Sequence, residues 1–346
     1  MSLSILIVCH DEPSLIERLA PAIRSARRFH VPFFVFANAP TSPVRESLHQ
    51  LQVEWGDAFH LIENDACTIS QARQKLLGLA STDWILFWDP DCEPKSDPIS
   101  TALEIIAQSP LSPHLAGLTG PIQIYSKGGD RFLEVLQRQL PSFAQTEQFV
   151  RPEDPRRPTH LPCFALYRRD ALRAVGGFCE SMRNCGEDLE VGFRLRAAGF
   201  HFERRQELSF KHFTETTPLA EWLKKIFRFG TARALVLARY PWLSGSNISR
   251  CFLLGAALEL VLMLFWPKVF FLVLPAQFLA LYLILLIVSR GNPRRALVRC
   301  LHLFLTVLAY RYGHVWGLWM AFQKNFLVRS RRRQRRSAPV ETLASR

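Results

Sequence analysis

Two pairs of neighbouring carboxylates carry the most chemistry in this chain. The first is Asp89-Pro90-Asp91, which closes the apolar run "ILFW" (85–88) and is followed by Pro94. Two anions this close repel each other, and a divalent cation between them removes the repulsion. Their oxygens suit Mg2+ or Mn2+, ions usually held by one or two carboxylates together with substrate phosphates. A solvated turn is the plain alternative for such a pair alone. The second pair is Glu187-Asp188, which follows Gly186 and opens "EDLEVGFRLRAAG" (187–199). There Leu189, Gly192 and Phe193 share one helical face, and Gly199 is placed to end the helix. Acidic residues at a helix N-terminus are favoured by its dipole. The same dipole keeps Asp188 ionised, as a general base requires, while weakening it as a base. Both readings stay open on local grounds.

The elements that must position these groups follow from apolar patterning. Short apolar runs at 3–10, 31–38, 59–64 and 84–89 alternate with helical spacing over 14–28 and 70–80. Strands alternating with helices imply an α/β fold with a mainly parallel, doubly wound sheet covered on both faces. Ligands of such sheets bind beyond the carboxyl ends of the strands, which is where His10, Asp11, Asn38 and Asp89 fall. After about residue 110 the pattern is mixed: an apolar 115–126, a helical 130–140, a Pro-rich surface loop at 151–160, then "CFALYRRDALRAVGGF" (163–178).

Charge divides the 346-residue chain unevenly. Residues 1–215 carry 23 Lys+Arg against 27 Asp+Glu, and residues 216–346 carry 20 against 3. The basic part also holds the longest apolar runs, 251–266 and the 20-residue 269–288, the latter long enough to cross a hydrocarbon core of about 30 Å. They are expected to form a transmembrane helical hairpin (247–289) after an amphipathic membrane-proximal helix (216–246). The next segment, 290–328, contains Arg299, His302, Arg311 and His314. Charges near its centre make spanning costly, so it reads as an interfacial helix, with a third span as the alternative. A basic disordered tail (329–346) follows. Basic flanks face the cytoplasm and suit anionic membrane lipids rather than nucleic acid. The start, "MSLSILIVCHD", lacks the basic region of a secretory signal. The eight cysteines form no C-x-x-C pair, as reduced, mostly packed thiols of a cytoplasmic domain would, and no zinc site is expected from their spacing.

Four segments, in order, resemble family 2 glycosyltransferases with the GT-A fold. "ILFWDPDCEP" (85–94) is similar to their strand and D-x-D, and "GEDLEVGFRLRAAGF" (186–200) to their G-E-D…R-L-x-x-x-G element. "CFALYRRDALRAVGGF" resembles the segment that precedes it, and "ISQARQKLLGLASTDWILFWD" (69–89) the approach to the strand. The resemblance covers about residues 3–240 and makes 1–215 the catalytic domain. It implies that Asp91 binds the donor's metal with support from Asp89, and that Asp188, with Glu187 beside it, deprotonates the acceptor. It also implies that Arg73 helps the diphosphate leave, that His10, Asp11 and Asn38 lie near the nucleoside, and that His212 offers a further metal or phosphate ligand. Val8-Cys9-His10-Asp11-Glu12, Ala66-Cys67-Thr68 and Asn38-Ala39-Pro40 depart from the family's patterns, which leaves the nucleotide open. The Q-x-x-R-W of processive synthases is absent from "KKIFRFGTARAL" (224–235), which implies single sugar transfer. The expected protein is a metal-dependent inverting enzyme of the cell inner membrane, with its catalytic domain cytoplasmic. It moves one sugar from a nucleotide-sugar donor to a lipid-linked or membrane-proximal acceptor in envelope glycan or glycolipid assembly. A polyprenyl-phosphate sugar synthase and a non-catalytic membrane scaffold or sugar-nucleotide sensor are the alternatives.

Overall fold

The computed structural model describes residues 2–10, 15–108, 111–127, 161, 164–182, 185–215, 219–240, 254–255, 258, 261, 265–288 and 293–337. Asp11, the 130–140 stretch, the 151–160 loop and most of the hairpin's first arm lie outside these residues. The chain divides into a first unit, Met1–Pro218, and a second formed by Leu219–Pro241 and Ser246–Arg346.

In the first unit, β1 (Leu3–Cys9), α1 (Leu15–Arg28), β2 (Phe33–Asn38), α2 (Ser42–Trp55), β3 (Phe59–Asn64), α3 (Ile69–Leu79) and β4 (Trp84–Trp88) alternate as the apolar runs require. They are followed by β5 (Cys92–Pro94), α4 (Pro98–Ala107), β6 (Leu115–Thr119), β7 (Ile122–Lys127), β8 (Phe164–Arg168), α5 (Arg169–Ala174), α6 (Glu187–Ala197), β9 (His201–Arg204) and β10 (Phe210–Glu215). Seven strands form one sheet in the order β3-β2-β1-β4-β8-β6-β9, and β5-β10-β7 form a smaller one. The large sheet is parallel except at β8, which runs antiparallel to both β4 and β6. Both faces are covered, so alternate residues of one strand enter different cores. Trp84, Leu86 and Trp88 of β4 join one cluster, Ile85 and Phe87 the other. A strand buried on two faces reads as a continuous apolar run, which is why "WILFW" carries no polar residue. From β1 the chain moves outward through β2 to β3 and then returns to place β4 on β1's other side. That reversal opens a crevice beyond the carboxyl ends of β1 and β4, where such sheets bind ligands.

The second unit contains α7 (Leu219–Arg239), α8 (Pro267–Val288) and α9 (Pro293–Ser337). Helices α7 and α9 approach closely: a Cβ at Gly313 would collide with the Phe227 carbonyl, and one at Gly230 with that of Tyr310. The Trp222 indole N–H donates to Thr306 Oγ1 at 3.1 Å across the same contact. The expected disordered tail is helical as far as Ser337. Arg and Gln are good helix formers, and no Gly or Pro interrupts the run before that point. Judged on the described residues, no helix is long and apolar enough to cross a membrane, so the expected transmembrane hairpin is not shown.

Candidate active site

Where β4 ends, the backbone folds back on itself. The Cys92 amide donates to the Asp89 carbonyl at 3.0 Å, and the buried Trp88 indole N–H donates to the Cys92 carbonyl at 2.9 Å. This locked turn presents the two carboxylates in different directions. Strand β5 leaves it antiparallel to β10 with Cys92 opposite His212, so His212 Nε2 lies 2.9 Å from Asp91 Oδ2. Cys92 Sγ is 3.7 Å from Asp91 Oδ1. These three ligand groups lie within 4.8 Å of one another. Carboxylate plus imidazole is a donor set that fits a divalent ion such as Mn2+. Asp89 is not in this cluster.

Asp89 faces Arg73 instead. Helix α3 starts on a capping box in which Thr68 and Gln71 satisfy each other's backbone N–H, and its next turn buries Arg73 to 6% exposure. The guanidinium donates to Asp89 Oδ1 at 2.6 Å and to Glu187 Oε1 at 2.9 Å, with Phe87 and Phe178 rings within 6 Å of it. Burial opposes the charge on Arg73, but Asp89, Glu187 and Asp188 more than reverse this and hold it charged. Burial raises the Asp89 pKa against the pull of Arg73, and Asp91 raises it further. Burial likewise pushes Glu187 up to about 7, with Arg73 opposing and Asp188 adding. Arg73 was expected at the departing diphosphate. The structure commits it to two carboxylates, one from each acidic pair.

Gly186, at φ 86°, caps α6, and Asp188 Oδ1 accepts the Leu189 amide at 2.6 Å in the helix's first turn. The helix is fastened to its surroundings by residues that the motifs did not single out. Buried Glu190 pairs with Arg194 one turn on at 2.6 Å, and Arg194 donates to the carbonyls of Val175 and Gly177. From the opposite side, Gln74 Oε1 accepts the Phe178 amide at 2.7 Å and Ser70 Oγ donates to the Cys179 carbonyl at 2.7 Å. Gly177 has φ 71°, and a Cβ there would collide with the Gln74 side chain. The "GGF" turn therefore joins α3 to α6, which fixes Arg73 relative to Glu187. Tyr167 of β8 is buried, its hydroxyl donating to the Leu161 carbonyl at 3.4 Å, and its pKa is raised by burial first and by Asp188 next. The Glu190–Arg194 pair was legible as an acid four residues before a base; nothing in the sequence points to Tyr167 or Gln74.

At the neighbouring strand ends, His10 Nδ1 is 2.6 Å from the Asn38 carbonyl oxygen, which places the proton on that nitrogen. Asn38 uses its side-chain amide on one backbone: Nδ2 donates to the Cys67 carbonyl and Oδ1 accepts the Cys67 amide, both at 2.8 Å. It thus pins the loop before α3 to the end of β2. His10 and Asn38 lie together, as do Asp89, Arg73 and Glu187, and as do Asp91 and His212.

Residues 4–176, half of the chain, match the family model described as "Glycosyl transferase family 2". No curated protein matches. Among solved structures, the mannosyltransferase PcManGT from Pyrobaculum calidifontis, in complex with GDP-Man and Mn2+, is similar at TM-score 0.56 and 16% identity, over 91% of this chain and 87% of that one. TarS 1–349 from S. aureus is similar at TM-score 0.49 and 13% identity, over 91% and 90%. The first likeness shows a mixed α/β sheet shared with GT-A enzymes. With a family model spanning half its length, the chain belongs to glycosyl transferase family 2.

Proposed function

We propose that this glycosyltransferase moves a single sugar from a nucleotide-sugar donor to a hydroxyl of a lipid-linked or membrane-proximal acceptor, with inversion at the anomeric carbon. The observation that carries the reading is the buried Asp89–Arg73–Glu187 bridge, which holds the Asp91 turn and the Asp188 helix start at one crevice. Asp91 and His212 are the residues that would hold Mn2+ or Mg2+, and a cation bound there supplies positive charge against the donor's diphosphate. Asp188, in the first turn of its helix, takes the acceptor's proton. Arg73 acts by orienting Asp89 and Glu187. His10, Asp11 and Asn38 border the nucleoside. The similar structure from Pyrobaculum was solved with GDP-Man and Mn2+, which supports this donor class without choosing a base.

Membrane attachment on the cytoplasmic face of the inner membrane is part of the proposal. It rests on the apolar 269–288, the basic excess after residue 216, and large apolar side chains exposed on the second unit, including Leu272, Leu279, Leu283, Trp316 and Trp319. Lipid is the solvent that such a surface suits. Transfer to a panel of lipid-linked acceptors by Asp188→Asn separates the chemistries. Loss of about 10²-fold or more in kcat, as expected for removing a general base, supports a hydroxyl acceptor. Retained activity points to an acceptor that is already ionised, such as a polyprenyl phosphate.

A further inference from the structure

The turn after β4 contains a ligand that hard cations do not use. Cys92 is fully buried, yet its sulfur lies 3.7 Å from Asp91 Oδ1, and His212 Nε2 lies 2.9 Å from Asp91 Oδ2. Three protein ligands around a tetrahedral zinc, with bonds of about 2.0–2.3 Å, stand about 3.3–3.8 Å apart. The three groups here are all within 4.8 Å of one another, so small side-chain rotations close the set. The backbone holds them in register: Cys92 faces His212 across the β5–β10 pair, and the Trp88 indole fixes the Cys92 carbonyl. The Asp91 side chain is 46% exposed and gives an ion a way in.

We propose that Asp91, Cys92 and His212 form a three-ligand site for Zn2+, with a fourth position left for water or a phosphate oxygen. On binding, the Cys92 thiol gives its proton to solvent and the thiolate coordinates; the zinc stays divalent and no redox step occurs. A thiolate favours zinc over oxygen-seeking Mg2+ and Mn2+, and zinc already outranks Mn2+ at a common nitrogen–oxygen site. On the transferase reading above, Zn2+ at these ligands competes with the donor's cation for Asp91 and His212. The site itself stands on geometry alone.

Co2+ reports a thiolate ligand directly through a near-ultraviolet charge-transfer band. Full-length, metal-stripped protein titrated with Co2+ is expected to show that band, to lose it on adding Zn2+, to lack it as Cys92→Ser and to keep it as Cys67→Ser. By competition, the ratio of Zn2+ to Mn2+ affinity should fall at least roughly tenfold in Cys92→Ser, the lower end of what even outer-sphere changes at a metal cost. No band, or a band that survives Cys92→Ser, overturns the site. Should circular dichroism show Cys92→Ser unfolded, His212→Gln takes its place, and an unchanged cobalt spectrum in that variant also overturns it. These titrations contain no nucleotide sugar, so failure to find transfer with Mn2+ would sink the transferase reading and leave the zinc site standing.

Discussion

Arg73 is shared by two carboxylates that cannot both stay buried and charged without it. Replacing it by Met leaves Asp89 and Glu187 uncompensated, a change that costs about 3–5 kcal/mol when a buried pair loses one partner. Denaturant unfolding of Arg73→Met should show that loss, with Arg73→Lys recovering part of it, since an ammonium keeps the charge but not the fork. Glu187 gives this cluster a pH signature. Its folded pKa, about 7, lies above the ordinary 4.5, so the folded state binds its proton more tightly than the unfolded chain does. The stability this contributes is complete below pH 4.5 and is lost as pH rises through 7. Thermal unfolding across that window should fall with pH more steeply for the native protein than for Glu187→Gln; parallel curves would assign the pH dependence elsewhere. The four acidic residues were legible because Pro90 and Gly186 mark the turn and the helix start that present them. The partner of Arg73 was not: a cation 16 residues from one carboxylate and 114 from the other carries no local mark of which it meets.

At the scale of elements, the D-x-D depends on a strand pairing rather than on a loop. Trp88→Phe keeps the apolar bulk but removes the donor to the buried Cys92 carbonyl. Leaving such a group unsatisfied costs about 1–3 kcal/mol. The variant is expected to unfold earlier and to bind Mn2+ more weakly; native Mn2+ affinity would mean the β5–β10 register alone holds the turn. Most strands were readable, since runs buried on both faces are apolar throughout and the observed β1, β2, β3 and β4 fall on the four runs. The direction of β8 was not, because an apolar run has the same composition parallel or antiparallel. Nor was the nearness of His212 to Asp91, which arises only when Cys92 is set opposite His212 by a pairing across 120 residues. The helical course of α9 into the Arg-rich tail was not expected, because a run of like charges carries no apolar periodicity to mark a helix.

For the whole molecule, charge and chemistry are segregated. The first unit is slightly acidic and contains every group in the proposed reaction, while all of the excess positive charge lies from residue 216 onward. Among the described residues the crevice sets Asp89, Asp91, Glu187 and Asp188 against Arg73, and a cation at Asp91 offsets that negative charge for a diphosphate anion. Donor binding should therefore require metal, whatever the acceptor or the anchoring. Calorimetry on the full-length protein, titrating UDP-, GDP- and dTDP-sugars with and without Mn2+, measures this dependence. The expected result is binding of one donor only when Mn2+ is present, lost in Asp91→Asn. Donor binding that is equally strong without metal, or that survives Asp91→Asn, would contradict it.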